Sequence, residues 1–323
     1  MKLTNEEKSL IVKLREGGLS YKKIADDVLG RESRSSTVFD YLKKYFDKDS
    51  IVTSDETAYE EDNYIVDNPR ILFIDIETSP SISYHWKRWD ENIGQEQVIQ
   101  ESIILTFSAK FLGKDEVLYA YVTEDEVRRY DDKRVVGEIY DILNKADIVV
   151  AHNGIRFDKK KINTRLLFNG YEPTKPYRLF DTLVSAKSNF SFPSNSLDNI
   201  CAYLGLGRKL KHAGFRLWRS YMEGNSEAIE RMVDYNMQDV IILEELYLKL
   251  RSWDARHPNA AVYIDNVEPT CPCCGSKEIE LVRGELATTN VSGFEVYTCK
   301  SCGKKMRGRK NVLINRPKCV SIS

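Results

Sequence analysis

The sequence predicts an α/β protein in three parts: a mixed sheet flanked by helices, preceded by a small all-α module and followed by a small β module. Three observations carry this reading. An apolar β-type run at residues 71–78 opens an alternation of strand and helix patterns that continues to residue 253. The first fifty residues hold three short helical patterns punctuated by Gly and Ser. Two Cys-x-x-Cys-Gly segments lie near the C-terminus. The expected domains are residues 1–50, an acidic flexible linker at 51–69, a central domain at 70–253, a linker at 254–266, and a metal-binding module with a basic tail at 267–323.

The chain has 323 residues and a formal net charge of -1, enough for one sizeable core and one or two small ones. No apolar run reaches the roughly 18 residues of a membrane helix, and the N-terminus has no secretory pattern. An intracellular, reducing location is the expectation, with no membrane partner; oligomeric state is left open. The even charge balance hides an asymmetry. Residues 51–69 carry six acids and no Lys or Arg, whereas beyond Glu295 the chain carries eight Lys and Arg and no acid. The first stretch reads as a solvated tether and the second as a local basic patch or a solvated end.

In the N-terminal part, residues 6–14 have helical spacing, and Gly17-Gly18-Leu19-Ser20 suits a C-cap followed by an N-cap. Residues 21–29 form a second helical pattern with Ile24, Ala25 and Val28 inward, and Ser35 or Ser36 can cap a third. Three short helices joined by such a turn resemble a helix-turn-helix, whose third helix would enter the DNA major groove. Arg34, Ser36, Thr37, Lys43 and Lys44 would then face bases or phosphates. A small bundle that only docks proteins is the other reading.

In the run Ile71-Leu72-Phe73-Ile74-Asp75-Ile76-Glu77-Thr78, strand alternation puts Asp75 and Glu77 on one face and Leu72, Ile74 and Ile76 on the other. Two adjacent carboxylates at a buried strand end lose hydration and repel, which a divalent cation between them would relieve. Alone, the pair is weak evidence for a metal and reads more simply as two solvated acids at a strand end. Residues 103–111 and 116–122 read as further strands, 134–145 as an amphipathic helix and 147–151 as a fourth strand. That strand runs into His152-Asn153-Gly154-Ile155-Arg156-Phe157-Asp158, placing Asp158 at a helix start, either as a simple N-cap or beside a ligand. Residues 159–169, 196–204 and 227–250 read as helices; in the last, Tyr235 and Asp239 share a face at i, i+4.

Asp75-x-Glu77, Asn153-x-x-x-Phe157-Asp158 and Tyr235-x-x-x-Asp239, taken in order, resemble the three motifs of the DEDDy 3'-5' exonucleases of the ribonuclease-H-like superfamily. The resemblance covers roughly residues 70–253. It implies a ribonuclease-H-like mixed sheet and two Mg2+ or Mn2+ ions held by Asp75, Glu77, Asp158 and Asp239. It also implies a water positioned by Tyr235, since a phenol with an ordinary pKa near 10 is a poor base. Hydrolysis at 3' ends, releasing nucleoside 5'-monophosphates, would follow. Asn153 and Phe157 would hold the terminal nucleotide, Phe157 suiting the core as well, while His152 is structural. The basic and aromatic residues Lys209, Lys211, Phe215, Arg216 and Trp218 suit either a single-strand groove or a solvated loop with core rings.

Cys271, Cys274, Cys299 and Cys302 have the spacing of a tetrahedral Zn2+ site made of two knuckles. The segment resembles a zinc ribbon with strands at 279–282 and 294–298. Cys273 competes as a ligand, and Cys201 and Cys319 read as ordinary thiols. The expected activity is therefore a 3'-5' exonuclease with single-stranded DNA as its substrate. DNA is preferred over RNA because a helix-turn-helix reads the B-form major groove of a duplex, which A-form RNA does not offer to a helix. An exoribonuclease and a non-catalytic, sequence-specific DNA-binding regulator are the alternatives.

Overall fold

The computed structural model describes residues 4–16, 24, 27–29, 69–89, 91–207, 214–264 and 268–313. Helix α1 (Asn5–Glu16) is entered through Thr4. Its Oγ1 accepts from Glu7 N (3.2 Å), and the Glu7 carboxylate accepts from Thr4 N (2.7 Å), a reciprocal cap. Ile11 and Ile24 are fully buried, as expected for Ile24. The third helical pattern, with Arg34, Ser36, Thr37, Lys43 and Lys44, lies outside the described residues, and so does the acidic stretch to residue 68.

The central domain is built on a five-stranded mixed sheet of order β5-β4-β1-β6-β7. Its strands are β1 (Ile71–Thr78), β4 (Ile104–Phe111), β5 (Leu118–Tyr121), β6 (Ile148–Ala151) and β7 (Arg178–Asp181). β1 pairs antiparallel with β4 and parallel with β6, and β6 pairs parallel with β7. The short β2 (Ile82–Ser83) and β3 (Val98–Gln100) form a separate hairpin between β1 and β4. β1 is central because its sequence is apolar on both faces as far as Asp75. Leu72, Ile74 and Ile76 enter one core cluster, and Ile71 and Phe73 enter the other.

Helices α2 (Glu124–Arg129), α3 (Lys133–Leu143), α4 (Asp158–Phe168), α5 (Thr182–Asn189), α6 (Leu197–Tyr203), α7 (Phe215–Met222) and α8 (Ser226–Leu250) cover the sheet. α8 serves both cores. Ile229 and Met232 join the first cluster, whereas Val240, Leu243, Leu246, Tyr247 and Leu250 join the second. Tyr235, Asn236 and Asp239 fall between these two apolar stretches. Sequence patterning did not anticipate β2, β3, α2, β7, α5 or α7, since short segments span too few repeats to show a period.

α2 starts at Thr123, whose Oγ1 accepts from Glu126 N while the Glu126 carboxylate accepts from Thr123 N (2.8 Å) and Arg134 Nε (2.9 Å). Burial raises the Glu126 carboxyl, but the hydrogen bonds from Arg134 and Thr123 outweigh it and hold the group down at about 2. A depressed carboxyl stabilises the fold above its unfolded value and loses that contribution as pH falls toward its folded value. Thermal unfolding of wild type and Glu126→Gln should therefore differ at neutral pH and converge between about pH 4.5 and pH 2. A constant gap across that window would refute the assignment.

The C-terminal module is a three-stranded antiparallel sheet, β10-β9-β8, of β8 (Ile279–Thr288), β9 (Gly293–Cys299) and β10 (Lys305–Arg307). Residues 254–264, expected as a linker, are packed. Ala260 is buried in the second core cluster, its N–H donates to Pro272 O (2.7 Å), and Lys304 Nζ donates to Asp254 O (2.9 Å). His257 Nδ1–H donates to Pro258 O (2.7 Å), so Nε2 accepts from Tyr247 Oη (2.9 Å). Burial pushes this imidazole down to about 4, which keeps it neutral for that role.

Candidate active site

Strand alternation places Asp75 and Glu77 on the face of β1 that carries Phe73, and the facing partners on β4 are Ser108 and Thr106. α8 crosses this face and brings Asp239 to the pair. Asp75, Glu77 and Asp239 each offer a carboxylate oxygen within 4.8 Å of the other two. Asp239 is 2% exposed. Asn236, one turn before residue 240 on α8, donates from Nδ2 to Asp75 Oδ2 (2.7 Å) and so fixes how Asp75 faces the group. Lys110, which pairs with Phe73 in the β1/β4 register, forms an ion pair with Glu244. That pair ties β4 to α8 beside the acids.

An all-oxygen set of three carboxylates, one of them deeply buried, matches the donors that hard divalent cations take. Like charges brought this close in a partly dry site repel unless a cation neutralises them. On the chemistry of its donors, the group therefore fits a divalent ion.

Asp158 stands apart from that group of three. It is the first residue of α4 and does not cap it: the N-cap is Phe157, with no side-chain cap bond. Its Oδ1 instead accepts from Ile76 N (3.4 Å), between the two acids of β1. Burial, with a smaller contribution from the charge of Asp181, pushes the Asp158 carboxyl up to about 7, against the opposing amide bonds.

The β6–α4 turn is held by a residue that sequence reasoning missed. Asp181, at the end of β7, accepts from Asn153 N (3.0 Å) and Leu183 N (3.0 Å) at Oδ1 and from Ile155 N (3.0 Å) at Oδ2. It caps α5 and clamps the Asn153 turn at once. The available signal was an acid closing a short apolar run ahead of a helix, the pattern of an N-cap. Asn153 itself has φ +73, the left-handed conformation that Asn tolerates better than most residues. Gly154 follows because a Cβ there would come within 2.5 Å of Ala151 Cβ. His152 is held at both ring nitrogens, with Nε2 donating to Asn195 O (3.0 Å) and Nδ1 2.9 Å from Thr182 Oγ1.

Phe157 is 41% exposed, which takes it out of the core. Tyr235 is buried on α8, one turn before Asp239. Phe215 and Arg216 at the start of α7 are exposed, and Trp218 packs on the first core cluster. Lys209 and Lys211 lie outside the described residues.

In the C-terminal module the four Sγ atoms of Cys271, Cys274, Cys299 and Cys302 lie within 4.8 Å of one another. The two knuckles repeat one design. Gly275 N donates to Cys271 O and Gly303 N to Cys299 O, both at 2.9 Å, with both glycines at positive φ, where a side chain would be strained. Four sulfurs in this arrangement suit tetrahedral Zn2+. Cys273 is buried but is not of the four, and Cys201 lies in the second core cluster. Cys319 lies outside the described residues.

The family model for the RNase_H superfamily matches residues 99–251. That span includes Asn153, Asp158, Tyr235 and Asp239 and begins after β1. No curated protein matches the chain. Among solved structures, the family B DNA polymerase from the hyperthermophilic archaeon Pyrobaculum calidifontis is 15% identical with a TM-score of 0.41. The match covers 71% of this chain and 33% of the polymerase chain, so this chain spans about a third of that protein. The five-stranded mixed sheet with its helices is the RNase H-like α/β fold that the motifs led one to expect. No helix among the described residues is long and apolar enough to cross a membrane.

Proposed function

We propose that the RNase H-like domain is a metal-dependent 3'-5' exonuclease acting on nucleic acid, with single-stranded DNA preferred and nucleoside 5'-monophosphates released. The observation that supports it most is the convergence of Asp75, Glu77 and Asp239 from two elements some 160 residues apart in sequence. Asp75, Glu77 and Asp239 would hold one Mg2+ or Mn2+ ion, and Asp158 with Asp75 a second. Bound there, such ions would acidify the attacking water and neutralise charge on the leaving 3' oxygen.

The chain's own residues do the rest. Asn236 orients the Asp75 carboxylate. Tyr235, on the same face of α8 as Asp239, directs the attacking water through its hydroxyl. The turn clamped by Asp181 presents Asn153 and the exposed Phe157 ring to the terminal nucleotide. The preference for DNA rests on the helix-turn-helix reading of the first fifty residues of the sequence, whose third helical pattern would contact phosphates.

The test is incubation with 5'-labelled single-stranded DNA and RNA of one sequence in Mg2+, Mn2+ or EDTA. A metal-dependent ladder shortening from the 3' end supports the reading. Equal degradation of both sugars would replace it with an exoribonuclease. No cleavage, with intact binding to duplex DNA, would leave a DNA-binding regulator.

The four cysteines would hold one structural Zn2+. The module buries little apolar side chain apart from the cysteines themselves, so metal binding would supply most of its folding free energy. Chelation should release one zinc per chain and abolish protease resistance of residues 268–313 while the central domain keeps its unfolding transition. An unchanged digestion pattern after zinc release would rule this out.

A further inference from the structure

Between β2 and β3 the chain presents a row of rings to solvent. Tyr84 is 75% exposed, Trp86 94% and Trp89 76%, with Lys87 and Arg88 exposed among them. Rings of this size contribute most when buried, so three of them outside in six residues is a surface kept open for something.

The segment is held in this arrangement by its backbone. The Glu91 carboxylate accepts from Trp86 N (3.1 Å), Lys87 N (2.6 Å) and Gln97 Nε2 (3.0 Å). Tyr84 N donates to Gln97 O (2.9 Å), Gln97 Nε2 donates to Tyr84 O (3.1 Å), and His85 Nδ1–H donates to Lys87 O (2.7 Å). Tyr84 N and O, Trp86 N, and Lys87 N and O are thus bonded within the loop while the rings and cations remain exposed. The base of the excursion is also fixed. Ser79 N donates to Ile103 O (2.9 Å) and Ile103 N to Ser79 Oγ (3.0 Å), directly beyond the Glu77 end of β1. Trp86 lies nine residues past Glu77, so it is at most roughly 30 Å away along the chain.

We infer that this loop is a stacking platform for unpaired bases of a single-stranded nucleic acid leading to the acidic site, with Lys87 and Arg88 on its phosphates. The chemistry commits to this occupant. Aromatic faces accept any base, and interleaved cations follow the backbone; an apolar protein surface would leave Lys87 and Arg88 without a counterpart. The inference deepens the nuclease reading and rests on it for the direction of the strand.

The test measures binding without cleavage, in the full-length Asp75→Asn chain with EDTA. The probes are a fluorescein-labelled 12-nucleotide single strand, an abasic strand of equal length and charge, and a blunt duplex. Stacking contributes about 1–3 kcal/mol per base, so Trp86→Ala/Trp89→Ala should bind the base-bearing strand at least about tenfold more weakly. The abasic strand should bind both chains alike, and Trp86→Phe/Trp89→Phe should restore most of the affinity. Tryptophan fluorescence of the unsubstituted loop should be quenched by the base-bearing strand and hardly by the abasic one. The rings are already in solvent, so their removal leaves the core intact. Unchanged affinity of the alanine variant, or equal losses for both strands, would overturn the platform and assign the rings to a protein contact. Because binding is read without turnover, loss of binding in a chain that never cleaves sinks the nuclease reading alone. Cleavage by the parent chain with ring-independent binding sinks the platform alone.

Discussion

Asp75→Asn should lower the rate of 3'-end shortening by at least about a thousandfold, and Asp239→Asn should do the same. The two carboxylates come from different elements but share one group of ligand oxygens, so the double substitution should cost little more than either single one. Effects of residues that act as a unit do not multiply. Stability of the metal-free chain should hold or rise, because removing one of three crowded anions relieves repulsion. Single-turnover assays in Mg2+ and thermal unfolding in EDTA check the two halves. Multiplicative losses in the double variant would mean that the acids act independently and would undo the shared-ion assignment.

Asp132→Ala should be the most destabilising single change in the central domain, by about 3–5 kcal/mol. Asp132 has no exposed side-chain surface and Arg165 only 7%. Their two bonds, from Nε and Nη2 to the two carboxylate oxygens, are both 2.7 Å. The same carboxylate also accepts from Ile104 N (3.0 Å) and Asn169 Nδ2 (3.1 Å). Truncation leaves a buried guanidinium and the Ile104 amide without this acceptor and takes from the Asn169 carboxamide one of its two acceptors, the other being Arg165 O. Because this network joins the start of β4 to α4, the change should also shift Asp158 at the head of that helix and lower activity beyond the loss in folded fraction. Asp132→Leu/Arg165→Met should recover most of the stability, since an apolar pair of similar volume leaves no charge unpaired. Urea unfolding midpoints measure both; an alanine variant within about 1 kcal/mol of wild type would contradict the argument.

Some of the site was legible because its determinants are local. Alternation along a strand put Asp75 and Glu77 on one face wherever that strand lay. Helical spacing put Tyr235 over Asp239. Cys-x-x-Cys-Gly twice over encoded two identical turns, which the positive φ of Gly275 and Gly303 requires. Asn236 was passed over since a polar residue beside an apolar stripe is ordinary, and nothing in its neighbourhood in the sequence names Asp75 as its partner. Asp158 read as an N-cap or a ligand, yet it is buried against the amide of Ile76, a residue 82 positions away.

The amino-acid sequence by itself determined which side of each element carries chemistry, because side-chain direction follows from backbone periodicity within a few residues. Only the tertiary structure decided which sides meet. The sheet order that sets β1 between β4 and β6 and the passage of α8 across β1 brought three acids within one ion's reach. It also decided exposure. Trp86 and Trp89 have the composition of core residues, and only the Glu91-anchored loop between β2 and β3 turns them to solvent. Burial is a property of what packs against a residue, and packing partners far along the chain leave no periodic trace in the segment they cover.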